Sequence, residues 1–164
     1  MTLATVSIEK LKRRLAKKDA PTQRVINELD SLGVPPEEII DIIEELTAEG
    51  YLNDKRYAEE AFYSNQRKGK SVNLLKMTLE AEGISPSIIE EVCQELGSAE
   101  SDFDNAVSLA TSYLSKELDK AEMAENWNLD KAINRIMGKL IRRGYDEETA
   151  ATAIRDAGEN LKNN

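Results

Sequence analysis

The residues of this 164-residue chain best suited to chemistry are cations, and they fall in three groups. Arg13, Arg14 and Lys17 stand near the start with Lys12 and Lys18 beside them; Arg67, Lys68 and Lys70 follow, with Lys76 close behind; Arg142 and Arg143 form the third group. Clustered guanidinium and ammonium groups bind phosphate or carboxylate, the guanidinium often through two parallel hydrogen bonds. The second and third groups also lie at expected helix C-termini, where the dipole favours cations without any ligand. A plain solvated face is the corresponding alternative for the first.

The missing residues exclude much else. With no His and one Cys, the chain has no Ser-His or Cys-His nucleophile pair, no histidine-bearing zinc site, no thiolate cage and no internal disulfide. Glu37-Glu38, Glu44-Glu45 and Glu90-Glu91 are adjacent pairs. Neighbours on a helix diverge by about 100° and cannot chelate one cation together. There is no phosphate-binding glycine loop, so any ATP belongs to a partner. No catalytic, cofactor or metal site is expected, and the chain reads as a non-enzyme.

The net charge of −9 conceals alternation: residues 1–33 carry +3, 34–66 carry −7, 67–80 carry +3, 81–130 carry −10 and 131–164 carry +2. A dedicated nucleic-acid binder masses its cations along one track. This bipolar pattern suits a protein partner better, with weak or indirect contact to single-stranded DNA. The opening MTLATVSIEKLKRR lacks the apolar stretch of a signal peptide, and no 18 apolar residues run together. A cytoplasmic monomer with no membrane contact is expected.

The elements that must position these cations are helices. Ile8, Leu11 and Leu15 predict a first helix over about residues 7–18; Val25, Ile26, Leu29 and Leu32 predict a second, stopped by Gly33; Pro36 opens a third that buries Ile39, Ile42, Ile43 and Leu46. Asn53 can cap a fourth with Tyr57, Ala58, Ala61 and Phe62 inside. Val72, Leu75 and Leu79 mark a fifth, and Ser85-Pro86 starts a sixth. A long seventh carries Phe103, Ala106, Val107, Ala110, Tyr113 and Leu114; residues 119–128 read as a loop; an eighth ends at Gly144 and Asp146 caps a ninth.

The glycine-ended junctions repeat. Leu29-x3-Gly33-Val34, Leu79-x3-Gly83-Ile84 and Leu140-x3-Gly144-Tyr145 are spaced by 50 and 61 residues. At offsets of +6, +10 and +13 from the glycines stand Ile39, Ile43 and Leu46, then Ile89, Cys93 and Leu96, then Ala150, Ile154 and Ala157. The lone Cys93 thereby reads as a small core residue. The fold expected is all-α, with three tandem three-helix (helix-turn-helix-like) repeats over 1–50, 51–97 and 98–164 forming an elongated, curved molecule. Asp54, Arg56 and Tyr57 are the expected joint between the first two repeats.

On these motifs the chain resembles the RecX family of recombination regulators. Residues 15–62 carry Gly33-Val34-Pro35 and then Gly50-Tyr51-Leu52-Asn53-Asp54-Lys55-Arg56-Tyr57-Ala58, similar to the family's most recognisable stretch. RKGKSVNLLKMTLEAEGIS at residues 67–85 and Leu140-Ile141-Arg142-Arg143-Gly144-Tyr145 resemble its second and third units. The resemblance spans residues 8–157. It implies a protein that binds RecA nucleoprotein filaments in their helical groove and restrains strand exchange, ATP hydrolysis and co-protease activity. Arg13, Arg14, Lys17, Arg67, Lys68, Lys70, Lys76, Arg142 and Arg143 are then the expected partner-binding residues. The chain departs from the family early in the fifth helix, where Val72, Asn73, Leu74 and Leu75 precede Lys76. A generic helical-repeat adaptor for another protein is the alternative function.

Overall fold

The computed structural model describes residues 3–97 and 99–163, with side chains over 8–97 and 101–163. The described residues form nine helices: α1 (Leu3–Leu15), α2 (Thr22–Ser31), α3 (Pro36–Ala48), α4 (Asp54–Arg67), α5 (Val72–Ala81), α6 (Pro86–Leu96), α7 (Ala99–Ala121), α8 (Leu129–Arg142) and α9 (Glu147–Lys162). Among the described residues there is no strand, and no helix is long and apolar enough to cross a membrane.

The repeated Leu-x3-Gly junctions share one hydrogen-bond pattern. Gly33 N donates to Asp30 O at 2.9 Å and Val34 N to Leu29 O at 3.2 Å; Gly83 and Ile84 repeat this to Glu80 and Leu79, both at 3.0 Å; Gly144 and Tyr145 repeat it to Ile141 and Leu140 at 2.9 and 3.3 Å. These paired bonds satisfy the last carbonyls of the helix and put the glycine in the left-handed region. Gly83 has φ +83° and Gly144 φ +91°.

Helix starts are held by side chains that the sequence pattern marks. Asn53 Oδ1 accepts from Arg56 N at 2.9 Å, and Asp146 Oδ1 accepts from Thr149 N at 2.7 Å. α2 is different, because Pro21 occupies its N-cap and offers no side-chain acceptor. Asp54 supplies one from the start of α4, its Oδ1 accepting from Thr22 N at 2.8 Å and Thr22 Oγ1 at 2.9 Å. Asp54→Ala should therefore cost about 0.5–2 kcal/mol, the usual range for losing a cap. Asp54→Asn keeps an acceptor oxygen and should lose less; urea denaturation of both variants checks the difference.

Three boundaries differ from the sequence expectation, the first being the start of α1 at Leu3 rather than near residue 7. α1 ends at Leu15, so Lys17 lies in the following turn rather than on the helix. Ala20 precedes Pro21 and is held out of the α region, and the chain leaves the helix ahead of it. α7 runs on to Ala121, so the connection to α8 is 122–128 instead of 119–128. Its last turns are tied down by Glu117, which is 1% exposed yet binds Lys120 Nζ at 3.1 Å and Arg135 Nη2 on α8 at 2.5 Å.

The chain divides into two compact units, Met1–Phe62 with Lys76–Glu95 and Tyr63–Leu75 with Leu96–Asn164. In the first, Leu11, Leu15, Val25, Leu29, Ile39, Ile42, Leu46 and Leu52 form one apolar cluster. In the second, Ala106 and Ala110 of α7 meet Ala150, Ala153 and Ala157 of α9, each fully buried, with Ile136, Leu140 and Tyr145 completing the cluster. Alanines at a helix contact let the two axes come close.

Glu117 gives the second unit a pH dependence. Its bonds to Arg135 and Lys120 hold the carboxyl below its ordinary value. A depressed folded-state pKa contributes stability above the unfolded value and loses it as pH falls through the folded one. The second unit should thus weaken below the usual carboxylate range, and Glu117→Gln should flatten that profile. Trp127, the only tryptophan, gives a fluorescence readout of this unit across the pH series.

Candidate anion-binding cleft

Two of the three basic groups come together within the second unit. α4 ends at Arg67, and the turn beyond it is fixed by Asn65, a buried side chain whose Nδ2 donates to Lys70 O and Ser71 O, both at 2.9 Å. Ser71, 1% exposed, then caps α5, its Oγ accepting from Leu74 N at 3.1 Å. The same residue reaches the turn after α8: Ser71 N donates to Arg143 O at 2.8 Å and Ser71 Oγ to Gly144 O at 2.6 Å. The turn carrying Arg67, Lys68 and Lys70 is in this way stapled to the one carrying Arg142 and Arg143.

Gly144 is required for that approach. A Cβ there would lie 2.5 Å from both Ser71 Oγ and Leu74 Cβ, and φ +91° is already a conformation that side chains disfavour. Arg143 spans the gap: its Nε donates to the Tyr113 hydroxyl at 2.9 Å, and its Nη1 donates to the Lys68 carbonyl. Lys139 Nζ stands 4.7 Å from the centroid of the Tyr113 ring, within the range of a cation–π contact.

The result is an open cleft of about 710 Å³, with Arg67, Lys68 and Lys70 on one side, Lys139, Arg142 and Arg143 on the other, and Tyr113 between. Among the described residues, six cations and no carboxylate line it. Like charges so gathered repel one another, and an entering anion relieves that repulsion. Arg67, Lys68, Lys70 and Arg142 are exposed, whereas Arg143 and Lys139 are partly covered. Near the cleft, Asp102 accepts from Val72 N at 3.1 Å, and burial pushes its carboxyl above the ordinary value. The buried Tyr145 phenol is pushed up to about 12, first by burial and then by the Asp102 charge.

The remaining expected partner-binding residues lie in the first unit and are not part of this cleft. Arg14 makes a two-pronged pair with Glu28 at 2.9 and 2.6 Å, and Lys76 pairs with Glu90 at 3.2 Å. Arg13 and Lys17 are exposed. Arg56 grips Asp19 through two bonds of 2.7 Å and donates to Gly50 O at 3.1 Å. Tyr57 donates to Glu82 at 2.8 Å, and burial with that carboxylate pushes its phenol up to about 12. Asp54 holds Thr22, as described above.

Two cleft residues were invisible in the sequence. Tyr113 fits the apolar stripe of α7, and Lys139 is an ordinary cation near a helix end. Only the contact of α7 and α8 shows that they complete the site.

Residues 53–92 match the family model described as RecX, second three-helix domain. Over 140 residues the chain is 29% identical to the regulatory protein RecX of Streptococcus gordonii, covering 85% of this chain and 50% of that one. Over 120 residues it is 28% identical to the regulatory protein RecX of Corynebacterium efficiens, covering 73% and 56%. The chain thus spans about half the length of these curated relatives. The crystal structure of RecX from Lactobacillus salivarius has the same fold, with a TM-score of 0.72 over 94% of this chain and 96% of that one at 21% identity. The repeated glycine junctions, the Asn53-Asp54-x-Arg56-Tyr57 motif and these matches agree: the chain is similar to RecX regulatory proteins, and its residues 53–92 match the second three-helix domain of that family.

Proposed function

We propose that the chain regulates a RecA-type recombinase by binding its nucleoprotein filament through the basic cleft of the second unit. The observation that carries this reading is the convergence of six cations around Tyr113, with no carboxylate among the described residues of the wall. A filament offers such a cleft both acidic protein surface and DNA phosphate. The relatives named as regulatory proteins support the same reading. The chain acts without chemistry of its own, as a cytoplasmic monomer, and its effect comes from occupying the filament. Contact with naked single-stranded DNA is weak, because one cleft engages few phosphates at a time.

Steady-state ATP hydrolysis by RecA on single-stranded DNA tests the proposal. Adding the chain should lower the rate saturably. An unchanged rate across a full titration would defeat the regulator reading and leave a helical-repeat adaptor for another protein.

A further inference from the structure

The first unit carries a surface of opposite character. A groove of about 420 Å³ runs between α2 and α3, lined by Ile26, Asn27 and Asp30 from the one and by Pro36, Ile39, Ile40, Ile43 and Glu44 from the other. Among the α3 residues, Ile39 belongs to the core cluster and Ile43 packs against it, so the groove is the outer edge of that core. Ile40 is 59% exposed and takes no part in the apolar cluster of its unit. An apolar patch rimmed by polar groups marks an interaction site more often than a single exposed side chain does.

Charge restricts the occupant. Among the described residues, Asp30 and Glu44 line the groove and no cation does. α3 adds Glu37, Glu38 and Asp41 and contains no basic residue. Lys12 pairs with Glu45 and Glu49, away from the groove lining. A neutral apolar ligand would leave the rim's carboxylates unanswered, whereas a cationic one meets them.

We propose that this groove docks an amphipathic helix of a partner protein, with aliphatic anchors at i, i+3 or i+4 and i+7 and Lys or Arg on the flanks. Helix-in-groove recognition uses that spacing, because it sets successive anchors on one side of the bound helix. The anchors fill the space over Ile26, Ile40 and Ile43, and the flanking cations meet Asp30 and Glu44. This surface goes beyond the cleft reading and shares none of its residues.

The test uses the full chain with methyl-labelled isoleucines, titrated at physiological salt with a 15-residue Leu/Lys helical peptide. A Leu/Glu peptide of the same pattern and a Lys/Ser peptide of equal positive charge serve as controls. The Leu/Lys peptide should shift the Ile26, Ile40 and Ile43 methyl signals saturably, and neither control should. Ile40→Asp should weaken binding at least tenfold and Glu44→Lys about fivefold. Met77→Asp, at another exposed apolar residue (61%), should leave it unchanged. Equal binding by either control, or indifference to Ile40→Asp in a chain whose circular dichroism is unaltered, would overturn the proposal. So would a concentration-dependent dimer in ultracentrifugation that Ile40→Asp dissolves, since a second copy would then be the occupant.

Discussion

Filament affinity should fall by at least about 100-fold when Arg67, Lys68 and Lys70 are all replaced by glutamate, while the helical fold survives. Like charges set against each other across an interface cost several kcal/mol, and about 2.8 kcal/mol is already 100-fold. The three side chains are exposed, and exposed substitutions usually change stability by no more than about 0.5 kcal/mol. Placing an anion at a helix C-terminus adds about 0.3–1 kcal/mol. The corresponding glutamine triple should fall between wild type and the reversal. Arg142→Glu should act in the same direction, because Arg142 is exposed on the opposite side of the same cleft. Arg143 is a poorer probe: its bonds to Tyr113 and the Lys68 carbonyl make its loss a structural change as well. The midpoint for inhibition of RecA ATP hydrolysis, read with circular dichroism of each variant, checks the set. A reversal that folds and inhibits at the wild-type midpoint would reduce these cations to helix-end charges.

The second large effect is on stability. Gly144→Ala should destabilise the chain by about 2–5 kcal/mol. A side chain in the left-handed region costs about 1–2 kcal/mol, and forcing an added carbon into a packed contact typically costs about 1–3 kcal/mol more. The added Cβ would stand 2.5 Å from Ser71 Oγ and Leu74 Cβ. Gly33→Ala is the comparison, since Gly33 has φ +76° and nothing within 4 Å of the added carbon. It should lose only the conformational part. Total stabilities of domains are commonly about 5–15 kcal/mol, so the difference between the two variants is large enough to read in urea melts followed by circular dichroism. Equal losses would show that the close approach of the two basic turns does not depend on this glycine.

The helix ends were legible before the structure because they obey local rules. Leu29, Leu79 and Leu140 each announce a glycine four residues on, and the Schellman bonding at all three sites follows from that spacing. Asn53 and Asp146 cap the helices expected of them. The same rules do not reach across the chain. That Asp54 would cap α2, 32 residues away, depends on how α4 meets α2. Glu117 reads as one acidic residue in a polar helix end, and its burial follows only from its partners Lys120 and Arg135. Likewise the basic groups at 67–70 and 142–143 are helix-end cations in the sequence. Ser71 is what joins them, through one backbone and one hydroxyl bond to residues more than 70 positions away. Composition shows that cations are present; tertiary contact shows that Arg143 turns inward while Lys139 and Tyr113 enter the site.

Co-sedimentation with RecA polymerised on single-stranded DNA, at physiological salt, tests the central claim most directly. Wild-type chain should pellet with the filament up to a saturating ratio, and the Arg67, Lys68, Lys70 reversal should stay in the supernatant over the same range. A wild-type chain that stays in the supernatant, or a folded triple reversal that pellets equally well, would contradict binding through the basic cleft.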